Sequence, residues 1–180
     1  GLVIDMADQS PDAGERTSAG ALAALLTPVV KSFFTERGFQ LASDALQVFG
    51  GYGYVHEYRI EQILRDSRIA MIYEGTNQIQ ALDLLQRKVL SGPDGLAPLL
   101  EVFAAEAALP SAHAASLQSW CDTLAQATHA LAQDAAQDAE LPARAAEDYL
   151  RLVGTVALAY TWCRAARVAQ ALDPAHPAHA

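Results

Sequence analysis

Cysteine is scarce: Cys121 and Cys163 are the only two in 180 residues, with neither CxxC nor metal-ligand spacing. That excludes a disulfide framework and a thiolate zinc site, and both are expected to be reduced thiols in or near a core. Positive charge is also short, with 12 Lys and Arg against 21 Asp and Glu and a net charge of -9. Nucleic-acid binding needs clustered cations against phosphates, so that class of partner is set aside. The longest apolar run, residues 152–163, falls short of the ~20 residues a bilayer span requires, so no membrane partner is expected. The five histidines do not gather into a ligand set, and no metal site is expected; His176 and His179 lie in a Pro/Ala tail. No secretory signal pattern opens the chain, and the expected location is cytoplasmic. No segment alternates polar and apolar residues in the manner of a β-domain.

What is abundant is alanine and leucine, with aromatics at only 7% and helix formers dominant; this is the composition of an all-α protein. Residues 1–14 read as a loose lead-in or the tail of an earlier helix, with Ser10-Pro11-Asp12 as a turn. Residues 15–26 form a helical pattern. Thr27-Pro28 has the signature of an N-cap and first-turn proline, so a new helix or a kink is expected there, running on to Phe49 with Gly38 as a weak point. Further helices are expected over 58–67 and 77–90. Ser91-Gly92-Pro93-Asp94-Gly95 is the clearest linker. Beyond it, residues 96–109, 111–138 and 141–172 read as helices, with Leu117, Trp120, Leu124 and Leu131 at bundle spacing. The expected architecture is an antiparallel helical bundle over 1–91 followed by a second small helical bundle over 92–180. Trp120, Trp162, Tyr149 and Tyr160 are read as core or interface anchors.

Two segments carry chemistry. In Ile72-Tyr73-Glu74-Gly75-Thr76-Asn77-Gln78-Ile79-Gln80, one carboxylate ends an uncharged run at the mouth of a helix. A carboxylate in a poorly hydrated pocket is disposed to accept and return protons. Gly75 permits close approach of backbone or ligand. Either Thr76 or Asn77 can cap the helix, and Asn77 with Gln80 has capping-box spacing. The plainer alternative is an acid that complements the positive end of a helix dipole. In Gln47-Val48-Phe49-Gly50-Gly51-Tyr52-Gly53-Tyr54, three glycines in four residues close a helix where one would suffice. The additional glycines point to a sharp turn or to backbone lying against something flat and bulky. Because this segment follows a helix, it is not a dinucleotide fingerprint.

Taken in order, QVFGGYGY, LRDSRI and IYEGTNQIQ resemble the C-terminal helical domain of the acyl-CoA dehydrogenase family, over a continuous run from about 41 to 90. The region after Gly92 resembles, more weakly, the helical extension of a larger-subunit branch. The resemblance implies that Glu74 is the catalytic base removing the α-proton of an acyl-CoA thioester. A hydride then passes from the β-carbon to FAD, giving a trans-2-enoyl-CoA. It implies that the backbone N–H of Glu74 contributes to the oxyanion site, that Gly75 touches the substrate, and that Thr76, Asn77 and Gln78 lie at the FAD. It further implies that Gln47, Val48, Phe49, Gly50 and Gly51 meet the FAD of a neighbouring subunit in a homo-oligomer, either dimer or tetramer. Arg65, Asp66 and Arg68 match an element read as fixing the loop before Glu74. Electron-transfer flavoprotein is the implied acceptor. The family's N-terminal helical and β-domains are missing from this sequence, so it is expected to be an excised part of a larger flavoenzyme, inactive alone. The alternatives carried beside this are a non-dehydrogenating offshoot serving as a helical scaffold, and an acyl-CoA oxidase.

Overall fold

The computed structural model describes residues 2–171, and among them there are helices and turns but no strand. The all-α expectation holds. Helix α1 spans Leu2–Gln9, where the sequence reads as a loose lead-in, and α2 spans Ala13–Val29. The turn between them ends on Asp12, whose carboxylate accepts from the Gly14 N–H at 2.9 Å and caps α2.

Proline 28 does not start a new helix or break the old one. A π-helical turn, Val30–Phe34, leads from α2 into α3, Thr35–Phe49, so one helix runs over Ala13–Phe49. A proline inside a helix leaves the carbonyl four residues earlier without its usual N–H donor. Here that carbonyl belongs to Ala24, and Lys88 Nζ donates to it at 2.6 Å from a segment 64 residues away. Lys88 is itself held by Asp83 at 2.8 Å. The helix has the length and apolarity of a membrane span, and its Leu25, Val29 and Phe33 lie in the protein core.

Helix α3 ends at Gly50, and a short turn α4 (Gly51–Tyr54), a 3-10 turn (His56–Tyr58) and α5 (Ile60–Ile69) follow. Helix α5 lies along α3. Helix α6, Asn77–Leu82, continues into a second π-helical turn, Asp83–Leu90. After the bend at 91–95, α7 spans Ala97–Ala107, α8 Ala114–Asp134 and α9 Leu141–Ala171. Helix α8 is shorter at both ends than the sequence pattern predicts, because Ser111 and Asp138 cap turns through their side chains.

One hydrophobic cluster joins the two sides of the bend. Leu25, Phe33, Leu84 and Leu85 pack with Leu99, Phe103, Leu124, Val153 and Val156. The closest approach is at Gly154, where any Cβ would stand 2.5 Å from Phe33 Cδ2. Two ion pairs tie distant segments together: Arg167 forks onto buried Glu106 at 2.6 and 2.9 Å, and Arg151 reaches Glu36 at 3.0 Å. The Arg167 guanidinium holds the Glu106 carboxyl below the usual carboxylate range, against the opposing effect of burial. Tyr149 is buried and Tyr160 packs on Phe103, whereas Trp120 and Trp162 are exposed beside a groove between α8 and α9.

Candidate functional site

The chain unwinds from α5 through Ala70, Met71, Ile72 and Tyr73, with Ile72 and Tyr73 N–H still donating to Ile69 O. Two residues in left-handed backbone then reverse its direction: Glu74 at φ 53° and Gly75 at φ 89°. For glycine this costs little, but for glutamate the left-handed region is unfavourable by about 1–2 kcal/mol. Backbone held in this way against its preference marks a position that the surroundings determine.

Thr76 is the N-cap of α6, its Oγ1 accepting from the Ile79 N–H at 3.3 Å. Asn77 does not cap. It is half-buried, and its Nδ2 donates to Ser32 O in the first π turn at 3.3 Å, with Thr35 Oγ1 3.2 Å from its Oδ1. Gln80 reaches backwards, Nε2 donating to the Glu74 carbonyl at 3.3 Å. The same Nε2 would stand 2.9 Å from a Cβ at position 75, so a side chain there would displace the Gln80 amide, while the φ of 89° is what favours glycine. Sequence spacing marked Gln80 only as half of a capping box with Asn77; the partner it finds is the carbonyl of Glu74.

The poorly hydrated pocket expected around Glu74 is not formed by this chain. Glu74 is exposed, and its carboxylate has no hydrogen-bond partner among the described residues. The apolar run that was expected to cover it is itself uncovered, with Ile69, Ile72, Tyr73 and Ile79 all about half exposed. Underneath, Lys31 Nζ is buried without a hydrogen-bond partner among the described residues, 6.0 Å from the centre of the Tyr73 ring. A buried ammonium with no partner is costly, and Lys31 carried no motif signal in the sequence.

The glycine-rich segment lies at the far end of α3. Gln47, Val48, Phe49, Gly50 and Gly51 are all exposed, Val48 to 86%. Gly50 adopts φ 59°, ψ -143°, which closes α3 through its N–H to Gln47 O at 3.0 Å. Gly53 is buried, and a Cβ there would strike Leu46 O at 2.6 Å. A Cβ on Gly51 would meet open space. No hydrogen bond among the described residues joins residues 47–51 to 73–80. Between them, Arg65 is engaged by Glu61 at 2.8 Å and Gln62 at 2.7 Å. Asp66 accepts from Gln62 Nε2 at 2.6 Å, and Arg68 stacks over Phe39 with its Nη1 3.5 Å from Met71 Sδ.

Fold and site together define an all-helical domain that exposes both a carboxylate at a helix mouth and a glycine-rich helix end. Residues 10–89 match the family model described as "Acyl-CoA dehydrogenase, C-terminal domain", and residues 96–179 match "Acetyl-CoA dehydrogenase C-terminal like". The 3-methylmercaptopropionyl-CoA dehydrogenase of Ruegeria pomeroyi is 36% identical, over 93% of this chain and 30% of that protein. The cyclohexane-1-carbonyl-CoA dehydrogenase of Geobacter metallireducens is 43% identical, over 36% of this chain and 17% of its own length. A solved structure described as "Bd2924 apo-form" superposes with a TM-score of 0.60, 22% identity and coverage of 88% of this chain and 29% of that one, a likeness of fold alone. The chain belongs to the acyl-CoA dehydrogenase family and carries that family's C-terminal helical regions. It spans less than a third of the length of these relatives.

Proposed function

We propose that this chain is the base-bearing part of an FAD-dependent acyl-CoA dehydrogenase that converts acyl-CoA to trans-2-enoyl-CoA, with Glu74 taking the α-proton. The observation that carries the reading is Glu74 itself: exposed, without a partner for its carboxylate, and held in left-handed backbone at a helix mouth. A scaffold has no physical need for a strained glutamate at that point.

The roles follow from the residues. An α-proton beside a thioester is weakly acidic, so the base must be positioned and the developing oxyanion must meet a donor. The Glu74 carboxylate receives the proton, and its backbone N–H is the donor assigned to the thioester carbonyl. Gly75 leaves room for the acyl chain to pass close to backbone. Residues 47–51 suit a flat cofactor edge, because Gly50 and Gly51 offer exposed backbone with open space where side chains would stand. Thr76 and Gln78 are exposed beside the base and form the second cofactor-facing set; Asn77 is the inward-turned residue between them. Bound FAD supplies the acceptor for the β-hydride.

Water is excluded only when the bare apolar face is covered. Val48, Tyr52, Tyr54, Ile63, Ile69 and Tyr73 are each at least half exposed, an unusual concentration for a finished surface. These uncovered side chains, with the unpartnered Lys31 ammonium, support completion of the site by other domains and a neighbouring subunit, hence a homo-oligomer. Electron-transfer flavoprotein is the proposed electron acceptor. The test is an anaerobic titration of the full-length flavoprotein with butanoyl-, octanoyl- and 3-methylmercaptopropionyl-CoA. Bleaching of the oxidised flavin band by one of them supports dehydrogenation and identifies the substrate class. Bound flavin that no thioester bleaches would refute it in favour of a non-dehydrogenating offshoot.

A further inference from the structure

We propose that Gln80 is a positioning residue for Glu74, fixing the direction of its carboxylate from α6; the proposal rests on Glu74 being the base. Glu74 and Gly75 are consecutive left-handed residues, and neither is stabilised locally in that form. Glutamate tends to leave the left-handed region, and glycine supplies no stiffness to prevent it. The restraint therefore has to come from outside the loop, and among the described residues the one side-chain hydrogen bond made to it from outside is that of Gln80 Nε2 to the Glu74 carbonyl.

A peptide unit is rigid, so holding the carbonyl of residue 74 holds ψ of Glu74 and φ of Gly75 together. Release of that contact frees Glu74 to leave the left-handed region, and the change in its φ, a rotation about N–Cα, redirects the Cα–Cβ bond and the carboxylate. Gln80 is a sound anchor because α6 is itself pinned one turn earlier, by Asn77 Nδ2 on Ser32 O. The restraint thus runs from the π turn at Val30–Phe34 through Asn77 to α6, and from Gln80 to the base. The bare Cα of Gly75 belongs to the same arrangement, since the Gln80 amide occupies the space its side chain would fill.

The test uses the full-length holoenzyme with the thioester of highest turnover and an artificial electron acceptor, comparing Gln80→Leu, Gln80→Glu and Glu74→Gln. Gln80→Leu removes the donor, and Gln80→Glu keeps the shape but presents an acceptor to the carbonyl. A misplaced catalytic group loses on the order of tenfold to a hundredfold in rate. Both Gln80 variants should therefore lose at least about tenfold in kcat, with KM and flavin content within about twofold of the parent. The kinetic isotope effect on an α-deuterated substrate should rise, because proton abstraction becomes slower relative to other steps. An unchanged kcat, or a kcat that falls only in step with flavin content at an unchanged isotope effect, would overturn the proposal. Should Gln80→Leu fail to fold, Gln80→Glu decides by the same readings. Full activity in Glu74→Gln would instead remove the base assignment itself, an outcome visible independently of either Gln80 variant.

Discussion

Replacing glycine by alanine should change stability in opposite directions at two helical positions, for reasons readable at atomic distances. Gly38 lies inside α3 with nothing within 4 Å of its would-be Cβ, so Gly38→Ala gains helix propensity without a steric cost. The expected gain is about 0.5–1 kcal/mol. Gly154 lies inside α9, and its Cβ would meet Phe33 Cδ2 at 2.5 Å and Cγ at 2.6 Å, about 1 Å inside contact distance. Phe33 is 5% exposed, so its ring can yield only by repacking against its apolar neighbours. Overpacking of this kind costs about 1–3 kcal/mol, from which the propensity gain is subtracted, leaving a net loss centred on about 1 kcal/mol and reaching about 2.5 kcal/mol. At about 2–4 °C per kcal/mol for a chain of this size, Gly154→Ala should lower Tm by about 2–4 °C, and by about 10 °C at most, while Gly38→Ala raises it by about 1–4 °C. Thermal unfolding followed by far-ultraviolet circular dichroism measures both. Trimming the ring in Phe33→Leu should make Gly154→Ala less costly than in the parent. A Tm for Gly154→Ala at or above that of the parent, or an equal cost in both backgrounds, would refute the claim that Phe33 and Gly154 lock α9 onto the N-terminal helices.

Lys88→Met strips the donor from the Ala24 carbonyl and should destabilise by about 1 kcal/mol in chemical unfolding. The loss should shrink in Pro28→Ala, where a restored N–H serves the same carbonyl; equal losses in the two backgrounds would contradict the pairing. Burial pushes the Tyr149 phenol up to about 12, the opposing contact being the Thr128 hydroxyl at 2.7 Å. A folded-state value above the ordinary ~10 means that this contribution is intact below pH ~10 and is lost as pH rises through about 12, a total of about 3 kcal/mol. Tyr149→Phe should accordingly flatten the fall of unfolding free energy between pH 10 and 12, and an unaltered slope would count against the burial argument. Gly51→Ala should leave Tm of the chain within about 1 °C, since its Cβ meets open space, yet lower flavin content in the full-length enzyme. Undiminished flavin would remove Gly51 from the cofactor site.

Much of the helical framework was legible because its signals are local. The cap-and-turn residues around 10–12, the glycines closing α3 and the polar bend at 91–95 each act within a few residues of themselves. Glu74 was legible for the same reason, standing before a helix that Thr76 caps. What could not be read depends on residues far apart in sequence. Pro28 looked like a helix start because its rescue comes from Lys88, 60 positions later. The surroundings of Glu74 were misjudged because an apolar run states only that a surface wants covering, and Ile69, Ile72 and Tyr73 are not covered by this chain. The two π turns have no compositional signature, yet one of them offers the Ser32 carbonyl that anchors Asn77.

The most direct test of Glu74 as the base is exchange of the substrate α-proton with solvent deuterium in the full-length flavoenzyme, comparing the parent with Glu74→Gln at equal flavin content. The account predicts that the parent exchanges or consumes the α-proton and that Glu74→Gln, still loaded with flavin, does neither. Exchange at the parental rate in Glu74→Gln would contradict it and move the base to another residue.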